Sequence, residues 1–551
     1  METRQKRLTL VAAILGSSVV LVDSTAVNVA LPAIQNELGG GLAAQEWLVN
    51  AYLLTLGSLI LIGGSLGDLF GERRVFFIGV AGFGAASVLC AVAPTIGVEI
   101  AGRALQGIAG ALLTPSSLAV IIAVFPPEER GAAIGSWTAW GAIGTVLGPL
   151  LGGQLVDQAS WRWIFAINIP LVLATLWLIV AAIPRTDPNR PHAHVDYPGA
   201  VLCALGLAGP VFALIEQPRL GWGSPAVYGP LLGGIAVFAL FLYVESRKEE
   251  PMLPLELFRR RNFAWGNAET LAMYGGLSAL LFFLVLFLQQ VAGYTALESG
   301  LTLLPVTIVM FTLSKRFGAL ADRYGPRFFM GAGPLVSAVG VLLLFTVDTN
   351  VDYLTELLPA LSIFALGLTL TVAPLTAAVL AGADESNAGI ASATNNAVAR
   401  IAGLIATAAV GAAVAGQFSA SVDEELAGRQ LSPPARTAVE EAKERSLARV
   451  PLERVPPPER PVLEAAGETA SVEAFRAGVG FSAGLLALGG LMGAIGIRDP
   501  RRLVPAEQCP GGAICGAPRD PALSRMRHPL RAAHAAVGRR TQGEAAPSGE
   551  T

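Results

Sequence analysis

Three ionisable residues interrupt stretches of this 551-residue chain that are otherwise almost wholly apolar: Asp23, Arg103 and Glu269. An ionised side chain on a helix in hydrocarbon costs at least ~2.5 kcal/mol, so such residues face protein or water and mark functional pathways. Burial favours the neutral form of a carboxyl and a nearby cation favours the charged form, so an acid held between the two influences can load and release a proton. Asp23, in Leu21-Val-Asp23-Ser24-Thr25, fits that role, and it equally fits a polar cap at a helix end. Arg103 keeps its charge at any accessible pH and needs an anionic or carbonyl partner. Two acids qualify, Glu99 one helical turn away and Asp23. Glu269 reads either as a proton or substrate contact or as a side chain that snorkels to a nearby interface.

Small residues surround these groups in a pattern of their own. Positions 103, 107, 110 and 114 share one helical face, so Arg103 stands at the end of a stripe that lets another backbone approach closely. A second run, Gly141-Ala-Ile-Gly144-Thr-Val-Leu-Gly148-Pro149-Leu-Leu-Gly152-Gly153, combines a GxxxG face with a proline that removes one backbone hydrogen bond. A close-packed, bent helix of this kind suits a hinge or a seal. A third pattern occurs twice: Gly64-Ser-Leu66-Gly-Asp68-Leu-Phe-Gly71-Glu-Arg73-Arg74 and Gly318-Ala-Leu320-Ala-Asp322-Arg323-Tyr-Gly325-Pro-Arg327. Asp68 and Asp322 end helices, while Arg73, Arg74, Arg323 and Arg327 flank the next starts, so the two loops read as a charged latch at one mouth of the molecule.

No ATP-binding Walker A sequence, nucleophile elbow or HExxH zinc site is present, and the four cysteines (Cys90, Cys203, Cys509, Cys515) have no zinc-type pairing. The expectation is a non-enzymatic protein with no cofactor and no metal. The net charge of -3 likewise suggests no nucleic-acid partner.

The elements that position these groups follow from composition. Hydrophobic residues make up 53% of the chain and charged ones 14%, with a mean hydropathy of +0.58, against roughly 25% charged in a soluble protein. Apolar runs at about 8–31, 46–67, 75–94, 97–124, 130–152, 164–183, 197–216, 226–244, 263–288, 296–317, 328–347, 353–380, 388–415 and 474–497 predict fourteen membrane crossings. Arginine and lysine gather in alternate loops (Arg73/Arg74, Arg130, Arg185/Arg190, Arg247/Lys248/Arg259 to Arg261, Arg316/Arg323/Arg327, Arg498/Arg501/Arg502), which places that side and both termini in the cytoplasm. The duplicated loops then face the same side, as a duplication requires. The predicted fold is all-α: a six-helix bundle at 1–184, a cytoplasmic loop and inserted helix pair at 185–250, and a second six-helix bundle at 251–497. Within the last, the Pro- and Glu-rich stretch 416–473 reads as a solvated external loop with some amphipathic helix, and 498–551 as a disordered cytoplasmic tail.

Taken together the motifs resemble those of the major facilitator superfamily, in its fourteen-helix drug:proton antiporter branch. The likeness rests on the paired loops, Arg103-x-x-Gln106-Gly107, the Gly144 to Gly153 run, Asp23 to Pro32, Trp161 to Pro170, Leu288 to Pro305 and Ala388 to Gly403. Leu69 and Glu72 depart from the family's first loop, and Glu99 and Glu269 have no counterpart in its pattern. The resemblance implies that Arg103 assists proton transfer, that Asp23 couples it, and that the Gly148-Pro149 helix favours export. The implied function is export of small amphipathic drugs or secondary metabolites across the bacterial inner membrane in exchange for protons, by a chain for which a monomer suffices. An exporter of a physiological lipid, siderophore or amino acid, or a non-transporting membrane sensor, would carry the same fold.

Overall fold

The computed structural model describes residues 3–184, 195–248, 251–381, 388–447 and 449–499, and those residues contain helices and connections but no strand. The first half holds α1 (Thr3–Leu38), α2 (Leu42–Phe70), α3 (Glu72–Ala91), α4 (Ile96–Val124), α5 (Pro127–Gln158), the single turn α6 (Arg162–Ala166) and α7 (Asn168–Ala182). Two helices follow, α8 (Tyr197–Leu220) and α9 (Pro225–Glu245). The second half holds α10 (Arg261–Gln290), α11 (Ala296–Leu301), α12 (Leu304–Tyr324), α13 (Pro326–Leu342), α14 (Leu358–Ala381), α15 (Ala388–Glu425), α16 (Pro433–Arg445) and α17 (Arg460–Gly496). Contacts group residues 1–498 into one unit; of the tail beyond it, only Asp499 lies among the described residues.

Thirteen described helices are long and apolar enough to cross a membrane, so the chain is a multi-pass membrane protein. The fourteenth predicted crossing, 130–152, is a continuous helix within α5 but is not among those thirteen. Local sequence explains where the helices begin and stop. Thr95 caps α4 by accepting from Val98 N (3.4 Å), Ser224 caps α9, and Thr295 with Glu298 forms a reciprocal capping box on α11.

The duplicated loops owe their glycines to backbone geometry. Gly71 and Gly325 have φ of +88° and +97°, a region open to glycine and strained for other residues. Each donates its N–H back to the preceding helix, Gly71 to Gly67 O at 2.9 Å and Gly325 to Ala321 O at 2.8 Å, and the next helix starts at once. Packing repeats as well: α1 lies on α5 and α7, and α10 lies on α15 and α17. Where the halves meet, α2 packs on α15 and α5 on α11, a crossed pairing.

The helices α8 and α9 pack on each other through Gly206, Gly209 and Gly234, and α8 packs on α2 and α15. At one end of this pair Asp196 caps α8 through Gly199 N (2.8 Å) and bonds Lys248. Burial pushes the Asp196 carboxyl up, but hydrogen bonds from Glu245, Lys248 and Gly199 outweigh it and hold the group below its usual range.

The stretch 416–473, expected as a solvated loop with some amphipathic helix, is largely helical among its described residues. Its first residues continue α15, its last begin α17, and α16 between them buries Ala435, Ala438, Val439 and Ala442 along one face. The alanines and valine recur at helical spacing, which gives an otherwise charged helix an apolar stripe to seat.

Candidate functional site

Asp23 is 0% exposed and Arg103 1%, and the guanidinium Nη1 donates to Asp23 Oδ2. Of the two partners open to Arg103 by spacing, the structure takes Asp23. The same Nη1 donates to Gln106 Oε1 (2.7 Å), and Nε donates to Leu48 O of α2 (3.2 Å). Gln106 in turn donates through Nε2 to Asp23 Oδ1 (3.1 Å) and to Ser87 Oγ (2.9 Å), and Asn168 Nδ2 donates to Asp23 Oδ1 at 2.9 Å. Five elements thus converge on one carboxylate: α1 carries it, and α2, α3, α4 and α7 supply its surroundings. Tyr52 lies against the guanidinium, 4.5 Å from ring centroid to Cζ, a contact that stabilises a desolvated cation.

This is a buried polar network in an apolar setting, in which Asn168 Oδ1 alone of its named amide atoms has no partner among the described residues. A buried ion pair holds only when its remaining donors and acceptors are met, and removal of one member leaves the other uncompensated. A proton on Asp23 removes the Coulomb tie to Arg103 while leaving the amides in place.

The small-residue stripe below Arg103 has a definite use. A Cβ on Gly107 would strike Thr55 Oγ1 and Tyr52 O, and Gly110 faces Leu56. The stripe seats α2 against α4, and Thr55 Oγ1 completes the contact by donating to Ala104 O (2.9 Å).

The glycine run of α5 faces two partners in succession. Gly141 and Gly144 lie on Leu21 and Val22, Gly148 on Thr25 and Val22, and Gly152 on Ala26, all of α1 beside Asp23. Gly153 turns to Leu297 and Ala296 of α11, while Gly300 packs on Pro149. The helix therefore touches the helix that carries Asp23 along one stretch and the opposite half at its end. Asp157 completes that meeting: Oδ1 accepts from Ala296 N (3.1 Å) and Oδ2 from Leu297 N (2.9 Å). Nearby, Gln289 donates to Val29 O (3.0 Å) and Gln290 to Gln35 Oε1 (3.0 Å), again from second half to first.

Asp157→Ala removes two bonds of this seam, worth roughly 0.5–1.5 kcal/mol each. The expected outcome is faster alkylation of a cysteine placed at Val156, with unchanged thermal unfolding of the two bundles.

Two of the loop arginines bond backbone carbonyls of a later helix. Arg73 Nη2 donates to Val180 O of α7 (3.1 Å), and Arg327, at the same place in the second copy, donates through Nε to Ala494 O of α17 (2.8 Å). Each ties the third helix of its half to the last helix of that half, where the outgoing carbonyls carry negative charge. Arg74 is exposed, and Arg323 sits over the Tyr324 ring at 5.5 Å. The side chains of Asp68 and Asp322 lie outside those described.

Glu269 stands apart from this network. It is fully buried, not at an interface, and among the described residues neither carboxyl oxygen has a hydrogen-bond partner. A Cβ on Gly493 of α17 would fall 2.8 Å from Glu269 Oε2, which places the group inside the second bundle between α10 and α17. Glu99 is equally buried, one turn from Arg103 and beside Cys90.

Sequence reasoning missed Asn168, Ser87 and Asp157. Asn168 had a signal, an amide within the apolar run 164–183. Ser87 had none, since a serine in a membrane helix commonly bonds its own backbone, as Ser87 Oγ also does to Phe83 O (2.8 Å).

Comparison with known proteins agrees with this geometry. A family model described as Major Facilitator Superfamily matches residues 13–407. The chain is 34% identical to the multidrug resistance protein Stp of Mycobacterium tuberculosis over 424 residues, 77% of this chain and 78% of that one. It is 32% identical to the tetracenomycin C resistance and export protein of Streptomyces glaucescens over 440 residues, 79% and 81% of the two chains. Among solved structures, a bacterial homolog of the human lysosomal transporter Spinster, inward-facing and unoccupied, superposes with a TM-score of 0.62 at 17% identity, covering 91% of this chain and 100% of that one.

Proposed function

This chain belongs to the major facilitator superfamily, and from that premise we propose that it is a proton-coupled antiporter exporting small amphipathic drugs or secondary metabolites across a bacterial inner membrane. The observation that carries the proposal is the fully buried Asp23 carboxylate, held by Arg103, Gln106 and Asn168 on the wall of the first bundle. The printed names of its relatives, a multidrug resistance protein and a resistance and export protein, favour drug-like cargo.

In this reading the chain crosses fourteen times, α5 being the crossing outside the thirteen most apolar helices, and both termini lie in the cytoplasm. Two bundles rock about the crossed α2–α15 and α5–α11 contacts. A proton entering from outside binds Asp23 and releases Arg103 from its counter-ion; when the cleft opens inward the proton leaves, the ion pair re-forms, and cargo is taken up for the next exit. Arg103 remains charged throughout and serves as the fixed electrostatic reference. Glu269 is the second acid of the proposal, a separate station inside the other bundle. One charge falling through 100 mV releases ~2.3 kcal/mol, roughly fifty-fold accumulation per proton.

The test uses everted membrane vesicles loaded with a pH-sensitive dye. Addition of a panel of amphipathic antibiotics is expected to release protons in proportion to cargo moved. Cargo movement that continues undiminished after the proton gradient is collapsed would sink the antiport reading.

A further inference from the structure

A second candidate site lies away from Asp23, where α2, α8, α15 and α16 meet. Their ends enclose a cleft of about 290 Å³, close to the lower size of small-molecule pockets. Glu46 of α2 lines it with a side chain only 2% exposed, and its Oε1 has no hydrogen-bond partner. That oxygen lies on the backbone of Gly411 in α15, where any Cβ would occupy its place.

The charges around the cleft are unbalanced. Glu46, Glu440 and Glu444 line it together with Arg219 and Lys443. Both cations are engaged elsewhere: Lys443 bonds Asp423 (2.7 Å) and Glu440 (3.4 Å), and Arg219 bonds Glu216 (3.0 Å), which also accepts from Trp47 Nε1 (3.4 Å). Among the described residues Glu46 has no cation in ion-pair contact, although a buried carboxylate needs one or a set of donors. The rest of the lining combines the apolar Leu42, Ala43, Ile215, Pro218 and Ala415 with Ser419 and Ser446. Among the described residues no group of three or more His, Cys, Asp or Glu is arranged to hold a metal ion.

We propose that this cleft binds a small organic ammonium ion, with its charge against Glu46 and its alkyl groups against the apolar walls. An ion seated there touches both halves and the helix between them, so it ties the seam shut. The proposal needs no transport and stands independently of the Asp23 relay.

The test is calorimetric titration of tetraethylammonium chloride into the full chain purified in detergent, with sodium chloride at equal ionic strength as the blank. One saturable site is expected. Glu46→Gln is expected to weaken it at least tenfold, Glu46→Asp to retain most of the affinity, and the remote exposed variant Glu256→Gln to leave it unchanged. Ala43→Leu, which fills the cleft and keeps every charge, is expected to abolish binding and carries the test if Glu46→Gln does not fold. No saturable heat with the native chain, or equal affinity in Glu46→Gln or Ala43→Leu, would overturn the proposal.

Discussion

Asp23→Asn is expected to reduce antibiotic-driven proton release in everted vesicles to background. The asparagine still meets Gln106 and Asn168 by hydrogen bonding, so the shape of the site survives, but it carries no titratable proton. It also strands Arg103, fully buried, without a counter-ion. Breaking a buried pair from one side typically costs roughly 3–5 kcal/mol, whereas replacing both members by neutral groups of similar size is often close to neutral. The single variant should therefore melt well below the native protein in detergent, and Asp23→Asn combined with Arg103→Met should recover most of that loss. Transport should not recover. This separates structural from functional roles, because a merely structural pair would regain activity together with stability. Full proton coupling in Asp23→Asn would end the assignment.

Gly153→Val is expected to hold the two halves apart at the α5–α11 meeting. A Cβ there would lie 2.5 Å from Leu297 Cα, 2.7 Å from Leu297 N and 2.8 Å from Ala296 C, all of them backbone. Backbone cannot rotate away, so the helices must separate. Overpacking costs typically about 1–3 kcal/mol, and each 1.4 kcal/mol is a tenfold change in population. Spin labels at Gln158 and Glu298 should report a longer distance in the variant, with cargo export down at least tenfold and the unfolding temperature little changed, since neither bundle's interior is touched. An unaltered distance would show that the seam closes elsewhere.

Much of the fold was legible because its signals are long. Apolar runs of about 20 residues, alternating loop charge and a duplicated loop each constrain the same arrangement, and Gly71 and Gly325 bear out their repeated offset with matching positive φ. The site was legible in its charges but not in its partners. An ionisable residue in an apolar run announces itself; which residue it meets depends on helix rotation, and that left Glu99 and Asp23 equally open for Arg103. Asp157 escaped notice because an acid beside a loop looks like an ordinary solvated end, and only the approach of α11 gives it two N–H donors. The arginines of the repeated loops have partners that their charge alone does not announce. Their charge suggested ion pairs across the mouth, whereas Arg73 and Arg327 bond carbonyl oxygens, and sequence carries no pattern for a carbonyl acceptor.

Those two arginines have a mechanical corollary. Their carbonyl bonds to Val180 and Ala494 lie within one half each, whereas the described side-chain bonds between halves are the two of Asp157 and those of Gln289 and Gln290. Four such bonds at roughly 0.5–1.5 kcal/mol each amount to about 2–6 kcal/mol. That is the scale of one to three elementary charges crossing about 100 mV, so under the proton coupling proposed above the entry of one to three protons would supply enough energy to part this seam.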